Sequence, residues 1–159
     1  GGKARISGAT PGRVVDFGLK DSLNMGACMA PAACDTICRH LEDFGRQPSD
    51  YDYIITGDLG SVGQTILLDL AKERGYDLSE RHLDCGMLIF DSEKQDTHAG
   101  GSGCACSAVT LAAHILPKIE KNEWKRVLFV PTGALLSTVS YNEGQSVPGI
   151  AHGVVIEHT

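Results

Sequence analysis

One short stretch of the sequence, QDTHAGGSGCACSAVTLAAHILPKI at 95–119, concentrates glycines, hydroxyl groups, two thiols and an imidazole. His98 could act as a general base, and Cys104 or Cys106, in the first turn of a predicted helix, could carry a thiol of low pKa. Purely structural roles compete with these, since cysteine often packs as a small hydrophobic residue and a loop histidine often bonds the backbone. The stretch is therefore either an active site or a pocket whose catalytic groups have been replaced. The loops and elements that surround it indicate which of the two applies.

Two further loops have a similar composition, namely GDLGSVG at 57–63 and TGALLS at 132–137. Ligands of α/β sheets bind at the carboxyl ends of the strands, so we expect these loops and THAGGSG at 97–103 to line one crevice. A helix predicted to begin near Ser102 would direct free backbone N–H groups into this crevice and favour an anionic ligand. The candidate ligand-binding residues are Asp58, His98, Gly101, Ser102, Gly103, Thr132 and Gly133. For Asp58, a structural role as a turn or cap residue competes with ligand binding.

Strand and helix patterns alternate along the chain, which predicts an α/β fold. Short apolar or β-branched runs predict strands at 12–19, 50–57, 82–89, 124–133 and 149–159. Apolar residues at helical spacing predict three helices. The first has Pro31 in its first turn, the second begins after an N-cap at Ser61, and the third begins near Ser102. We expect a five-stranded mixed sheet with helices on both faces and four parallel strands. The last strand should run antiparallel at or near an edge, because the connection from 133 to 150 is too short for a helical crossover.

Composition narrows the classes of function. A chain of 159 residues with 42% hydrophobic content can bury the core of a single domain, which we expect to span 1–159. Its 14 Lys and Arg against 20 Asp and Glu give a formal charge of −6, which disfavours a nucleic-acid partner. No apolar run reaches the roughly 18 residues needed to span a bilayer, so we expect a soluble chain without a transmembrane segment. The six cysteines lack the paired C-x-x-C spacing of zinc sites, and we assign no metal or cofactor and expect reduced, mostly buried thiols.

Longer strings of the sequence resemble a known family. MGACMAPAACDTI, DCGMLIFDSEKQDTHAGGSGCACSA, RVLFVPTGALLS and PGIAHGVVIE are similar to stage V sporulation protein AD of spore-forming Firmicutes, from residue 10 onward. The resemblance implies the C-terminal half of a thiolase-like protein with three layers. It also implies a peripheral subunit of the complex at the forespore or spore inner membrane that takes up dipicolinic acid (pyridine-2,6-dicarboxylate) during sporulation. This subunit would bind dipicolinate, with or without calcium.

The resemblance also indicates which catalytic groups are replaced. Thiolases need a nucleophilic cysteine from their N-terminal half, and Pro131 or Thr132 stands where a second catalytic cysteine is expected. His98 is similar in position to the catalytic histidine, but a histidine alone does not make a reaction, so we assign no catalytic residue. Two alternatives stay open: an acyltransferase completed by the other half with His98 as base, and a purely structural assembly subunit.

Partners follow from the same resemblance. They are the N-terminal half of the same protein and the other stage V sporulation complex subunits. An isolated half of a two-half fold would leave apolar surface uncovered, so we also expect a homodimer or larger assembly.

Overall fold

A five-stranded sheet lies at the centre of the structure, a computed structural model that describes residues 2–159. Its strands are β1 (Ala4–Thr10), β2 (Tyr53–Thr56), β3 (His82–Asp84), β4 (Arg126–Val130) and β7 (Gly153–His158). They lie in the order β1-β7-β4-β2-β3, and β7 runs antiparallel to both of its neighbours while the other four share one direction. This arrangement confirms the predicted mixed sheet, with the last strand next to an edge.

Helices cover both faces of the sheet. One face carries α1 (Met25–Phe44) and α2 (Gly60–Glu73). The other face carries three consecutive helical segments, α4 (Cys106–Thr110), a π-helix (Leu111–Ile115) and α5 (Leu116–Glu120). The remaining elements are a 3-10 helix (Pro48–Asp50), α3 (Cys85–Leu88), α6 (Thr138–Asn142) and a two-stranded sheet of β5 (Thr132–Ala134) and β6 (Gly149–Ala151).

Side chains of the central strands alternate between two apolar cores. Ile54 of β2 and Leu128 of β4 pack with α1 and α2, whereas Ile55 and Val127 pack with α4 and α5. All four side chains are fully buried. A strand that is buried on both faces has a continuous apolar run, which is why β2 and β4 were predictable from the sequence.

Three predicted strands differ from the structure. The one predicted at 82–89 is a strand only over His82–Asp84, because α3 follows it directly at Cys85–Leu88. The first and last predicted strands differ as well. Residues 12–19 form no strand, and Val15 makes an isolated bridge to Gly149. The first strand is β1 instead, an edge strand whose Ile6 is 72% exposed, so its sequence lacks an apolar run. The predicted strand at 149–159 is divided at His152 into β6 and β7, which belong to different sheets.

The first long helix begins earlier than predicted. It starts at Met25, and the Oδ1 of Asn24 caps it by accepting the backbone N–H of Ala27 at 3.3 Å. Pro31 therefore lies inside α1 and not in its first turn. Because proline has no N–H, the helix has no hydrogen bond from Pro31 to the carbonyl of Ala27.

Pro117 accounts for the π-helix on the opposite face. The N–H of Leu116 bonds to the carbonyl of Leu111, five residues back, as in a π turn. In a regular α-helix the ring of Pro117 would clash with the carbonyl of Ala113, so the preceding turn widens. Ile115 remains fully buried despite the wider turn.

A buried histidine connects α1 to two strands. The Nδ1 of His40 lies 2.7 Å from the hydroxyl of Thr10 in β1, and its Nε2 lies 2.6 Å from the hydroxyl of Tyr51, just before β2. Burial lowers the pKa of His40 from 6.5 to about 4, and the positive charge of Arg46 adds to the effect. The folded chain therefore keeps this imidazole neutral at pH values where the unfolded chain protonates it.

We expect His40 to reduce stability as the pH falls from 6.5 towards about 4, because the unfolded state then binds one more proton. One such proton gives a slope of at most about 1.4 kcal/mol per pH unit. The variant His40→Gln can still form hydrogen bonds but cannot titrate. It should therefore lower the slope of the free energy of unfolding against pH by up to about 1.4 kcal/mol per pH unit, the contribution of one proton. Urea unfolding of both proteins across this pH range measures the slopes. Equal slopes would contradict the prediction.

Candidate functional site

A cavity of about 600 Å³ lies at the carboxyl ends of β2 and β4. Its wall is mainly apolar and includes Met25, Met29, Leu111 and Phe129. Five of the seven predicted ligand-binding residues also line it: Asp58, Ser102, Gly103, Thr132 and Gly133. We call it the Asp58 cavity. The three glycine-rich and hydroxyl-rich loops thus meet at one edge of the sheet, as the strand order requires.

The carboxylate of Asp58 joins these loops. Its Oδ2 accepts the hydroxyl of Ser102 at 3.0 Å and the N–H of Gly103 at 3.4 Å. Its Oδ1 accepts the hydroxyl of Thr132 at 3.0 Å, and that hydroxyl oxygen in turn accepts the N–H of Asp58 at 3.1 Å. Donors that the sequence suggested for an anionic ligand are therefore bonded to an anion of the chain itself.

A second, buried carboxylate holds the turn between β2 and α2. Asp84 Oδ1 accepts the hydroxyl of Thr56 at 2.6 Å and the N–H of Leu59 at 2.9 Å, and Oδ2 accepts the N–H of Gly60 at 3.0 Å. Burial raises the pKa of Asp84, while these three donors lower it. Ser61 is not the cap, because Asp84 of β3 supplies the acceptor at the start of α2.

A chain of hydrogen bonds extends from Asp84 through a buried histidine. Gln64 Nε2 donates to His82 Nδ1 at 3.0 Å, which leaves the proton on Nε2, 2.9 Å from the hydroxyl of Thr56. The hydroxyl of Thr56 in turn donates a hydrogen bond to Asp84 Oδ1. Burial lowers the pKa of His82 to about 4, so the imidazole is neutral at pH 7. Neither His82 nor Asp84 was predicted to have a role, although Asp84 ends β3 at the same end of the sheet as Asp58.

The other two predicted ligand-binding residues lie outside the Asp58 cavity. The side chain of His98 is 88% exposed, its Nδ1 lies 3.5 Å from Asp96, and it lines a separate cavity of about 140 Å³. The N–H of Gly101 is bonded to the carbonyl of Gly86 at 2.6 Å. The helix near these residues begins at Cys106 and not near 102, so the N–H groups of 101–103 do not form its first turn.

The thiols near the Asp58 cavity differ in exposure. Cys104 is exposed and lines the cavity, whereas Cys106 is buried with its Sγ 3.7 Å from the carbonyl of Gly57. Burial raises the pKa of Cys106, and the carboxylates of Asp58 and Asp84 raise it further. Five of the six cysteines are buried, as predicted, and all six are free.

A glycine permits the close approach of β2 and β5 at this site. A Cβ built on Gly57 would lie 2.7 Å from both the backbone nitrogen of Thr132 and the hydroxyl of Ser107. A Cβ on Gly133 would meet its nearest neighbour, Ile150, at 3.5 Å, which is ordinary contact. The position before Asp58 therefore requires glycine, whereas Gly133 has room for a side chain.

Comparison with known proteins identifies the family. The family model described as Stage V sporulation protein AD (SpoVAD) matches residues 1–157. The chain belongs to the SpoVAD family. Stage V sporulation protein AD of Bacillus subtilis (strain 168) is 48% identical over 156 residues, which cover 98% of the chain and 46% of that relative. The chain thus spans about half the length of this SpoVAD relative, and its family membership indicates a role in sporulation.

A solved structure supports the thiolase-like fold of this SpoVAD chain. AbyA1, a tetronic acid condensing enzyme, aligns with a TM-score of 0.55 and 13% identity over 97% of the chain and 48% of AbyA1. At this level of identity the likeness concerns the fold alone. Within residues 2–159, none of the helices is long and apolar enough to cross a membrane.

Asp84→Ala should strongly destabilise the chain, because three donors in the protein interior would lose their acceptor. We expect a loss of about 3 kcal/mol or more in the free energy of unfolding. Asp77→Ala provides a matched control, since Asp77 lies in an exposed turn and bonds only to Ser79. Urea unfolding measures both variants, and an equal loss in the two would disprove the role of Asp84.

Gly57→Ala should destabilise the chain by about 1–3 kcal/mol, because the added methyl group overpacks the contact with Thr132. Gly133→Ala, in the wall of the Asp58 cavity, should change the free energy of unfolding by less than about 0.5 kcal/mol, because a methyl group fits there. The two midpoints of urea unfolding give the comparison. Equal stability of Gly57→Ala and Gly133→Ala would contradict the prediction, because the chain around Gly57 and Thr132 would then accept a methyl group without loss of stability.

Proposed function

We propose that the Asp58 cavity binds dipicolinate, and that the chain serves as a non-enzymatic subunit of the sporulation complex that takes up dipicolinate at the forespore inner membrane. The observation that carries this proposal is the composition of the cavity. Apolar side chains such as Leu111 and Phe129 offer surfaces for a planar ring, and a few polar groups lie at one side. Small-molecule sites have this composition, and a volume of about 600 Å³ is typical of them.

The charge of the cavity specifies which form of dipicolinate it would take. Among the lining residues that the structure describes, Asp58 is the one charged side chain. A free dicarboxylate would bring two negative charges next to this carboxylate, with no cation to offset them. The neutral one-to-one calcium chelate avoids this repulsion. We therefore propose the chelate as the preferred ligand.

Asp58 can also contact the calcium of such a chelate. Calcium takes six to eight oxygen ligands, so a chelated ion retains open positions for a carboxylate and for the hydroxyls of Ser102 and Thr132. Within residues 2–159, no group of three or more His, Cys, Asp or Glu side chains could hold a metal ion. The calcium would therefore arrive with the dipicolinate.

The positions of the reactive side chains support a binding role over acyl transfer. Nucleophilic catalysis by a thiol needs a base within hydrogen-bonding distance. In the described part of the chain, no histidine lines the Asp58 cavity, and His98 lies in a different one. The thiol next to the turn, Cys106, is buried and has a raised pKa, which disfavours the reactive thiolate.

Exposed apolar side chains support the proposed partners. Leu23 is 96% exposed, Val139 65% and Phe17 64%. Phe17 and Leu23 lie in the loop before α1, which bonds to Gly149 of β6 through Val15, and Val139 lies in α6, between β5 and β6. A large exposed apolar surface is typical of a protein interface. We propose that the remaining half of the full-length protein covers it, and that further copies and other complex subunits bind elsewhere.

Calorimetric titration of the full-length protein with dipicolinate, in excess calcium or in a calcium chelator, tests the proposed ligand. We expect tighter binding with calcium. Asp58→Asn removes the negative charge with little change of shape, so it should weaken binding of the chelate by about tenfold and strengthen binding of free dipicolinate. His98→Ala is the matched control and should leave both affinities unchanged, because His98 lies outside the cavity.

Three results would change the proposal. Absence of binding to a preparation shown to be folded would refute it and favour a structural role. Acyl-thioester turnover by the full-length protein, abolished in His98→Ala, would favour the acyltransferase. A loss of dipicolinate affinity in His98→Ala, with no turnover, would show that His98 contributes to the binding site.

A further inference from the structure

A second cavity, of about 620 Å³, lies at the amino ends of β2, β3 and β4, opposite the Asp58 cavity at the carboxyl ends. All five strands reach it: Arg5 lies in β1, Arg126 in β4 and Glu157 in β7, while Asp52 and Arg81 immediately precede β2 and β3. Its lining is mainly polar and charged. We call it the Arg81 cavity.

Acidic side chains of the Arg81 cavity are already bonded within the fold. Asp52 Oδ2 accepts the backbone N–H groups of Lys125 at 2.6 Å and Arg126 at 2.9 Å. Glu157 accepts Arg126 Nε at 2.5 Å and Arg5 Nη2 at 3.3 Å. The hydrogen bond from Arg126 holds the pKa of Glu157 below its usual value, so this carboxylate is ionised at pH 7. These acids therefore orient the backbone and two arginines and are not free to bind a cation.

Two cations of the Arg81 cavity keep their charge uncommitted. Among residues 2–159, the guanidinium of Arg81 and the ammonium of Lys125 have no ion pair or hydrogen bond to a side chain or to the backbone. The remaining acid of the cavity, Asp50, accepts the N–H of Gln47 at 2.7 Å. Four cationic side chains thus face three acidic ones in a chain whose net charge is −6. The lining of the cavity is therefore cationic on an acidic protein.

We propose that the Arg81 cavity binds a phosphate dianion, either inorganic phosphate or a phosphomonoester. A guanidinium can donate two parallel hydrogen bonds to a phosphate, and an ammonium supplies a point charge beside it. Two negative charges match the two uncommitted cations, Arg81 and Lys125. A polar lining offers little apolar surface to an aromatic ring, so dipicolinate would not be the occupant. The site is thereby independent of the Asp58 cavity.

Calorimetric titration of the full-length protein with inorganic phosphate and with glycerol phosphate, at low ionic strength, tests this proposal. Arg81→Gln and Lys125→Gln should each weaken phosphate binding by about tenfold, the effect of losing a hydrogen bond to a charged partner. Lys72→Gln, an exposed position in the last turn of α2 outside the cavity, is the matched control and should have no effect. Circular dichroism verifies that each variant is folded.

The two phosphate compounds distinguish the source of the ligand. Tighter binding of glycerol phosphate would indicate a phosphomonoester, and equal binding would indicate that the phosphate group alone is recognised. Absence of phosphate binding, or equal affinity in Arg81→Gln and Lys72→Gln, would overturn the proposal. Displacement of phosphate by dipicolinate would also overturn it, because the cavity would then accept dicarboxylates.

Discussion

The carboxylate of Asp84 fixes the relation between the sheet and the loops at its carboxyl edge. Donors from β2 and from the first turn of α2 converge on this side chain, which itself ends β3. Because its two oxygens hold both sides of the β2–α2 turn, Gly57 and Asp58 are kept against β5. A negative charge at the start of α2 is also favoured by the helix dipole. The position of Asp58 in the wall of its cavity thus depends on the buried carboxylate of Asp84.

The cavities at the two ends of the strands differ in polarity and in charge. The Asp58 cavity is mainly apolar and holds the carboxylate of Asp58, whereas the Arg81 cavity is polar and includes two cations, Arg81 and Lys125, without a partner among residues 2–159. The strands between them are buried on both faces and carry no charged group into the core at Ile54, Ile55 or Val127. The two cavities lie at opposite ends of β2 and β4.

Elements that depend on local periodicity were predictable, and those that depend on distant partners were not. The strands β2 and β4 and the sheet direction of β7 follow from apolar runs and connection lengths, but β1 is an exposed edge strand of mostly small residues. The meeting of three loops followed from the strand-end rule. The partners of Asp58 did not, because Ser102 and Thr132 are 44 and 74 positions away along the sequence. The start of α2 was missed for the same reason, since its cap comes from Asp84.

The π-helix at Leu111–Ile115 restricts how this region of the chain can change in length. A π turn accommodates one more residue than an α turn, so the residues before and after it are out of ordinary helical phase. Cys106 and Ile119 lie on either side of it, and both face the core. Deleting one residue would leave an α turn, in which the Pro117 ring would clash with the carbonyl four residues before it, and inserting one would rotate Cys106 or Ile119 towards solvent. Sequences with this helix should therefore tolerate substitutions there more readily than insertions or deletions.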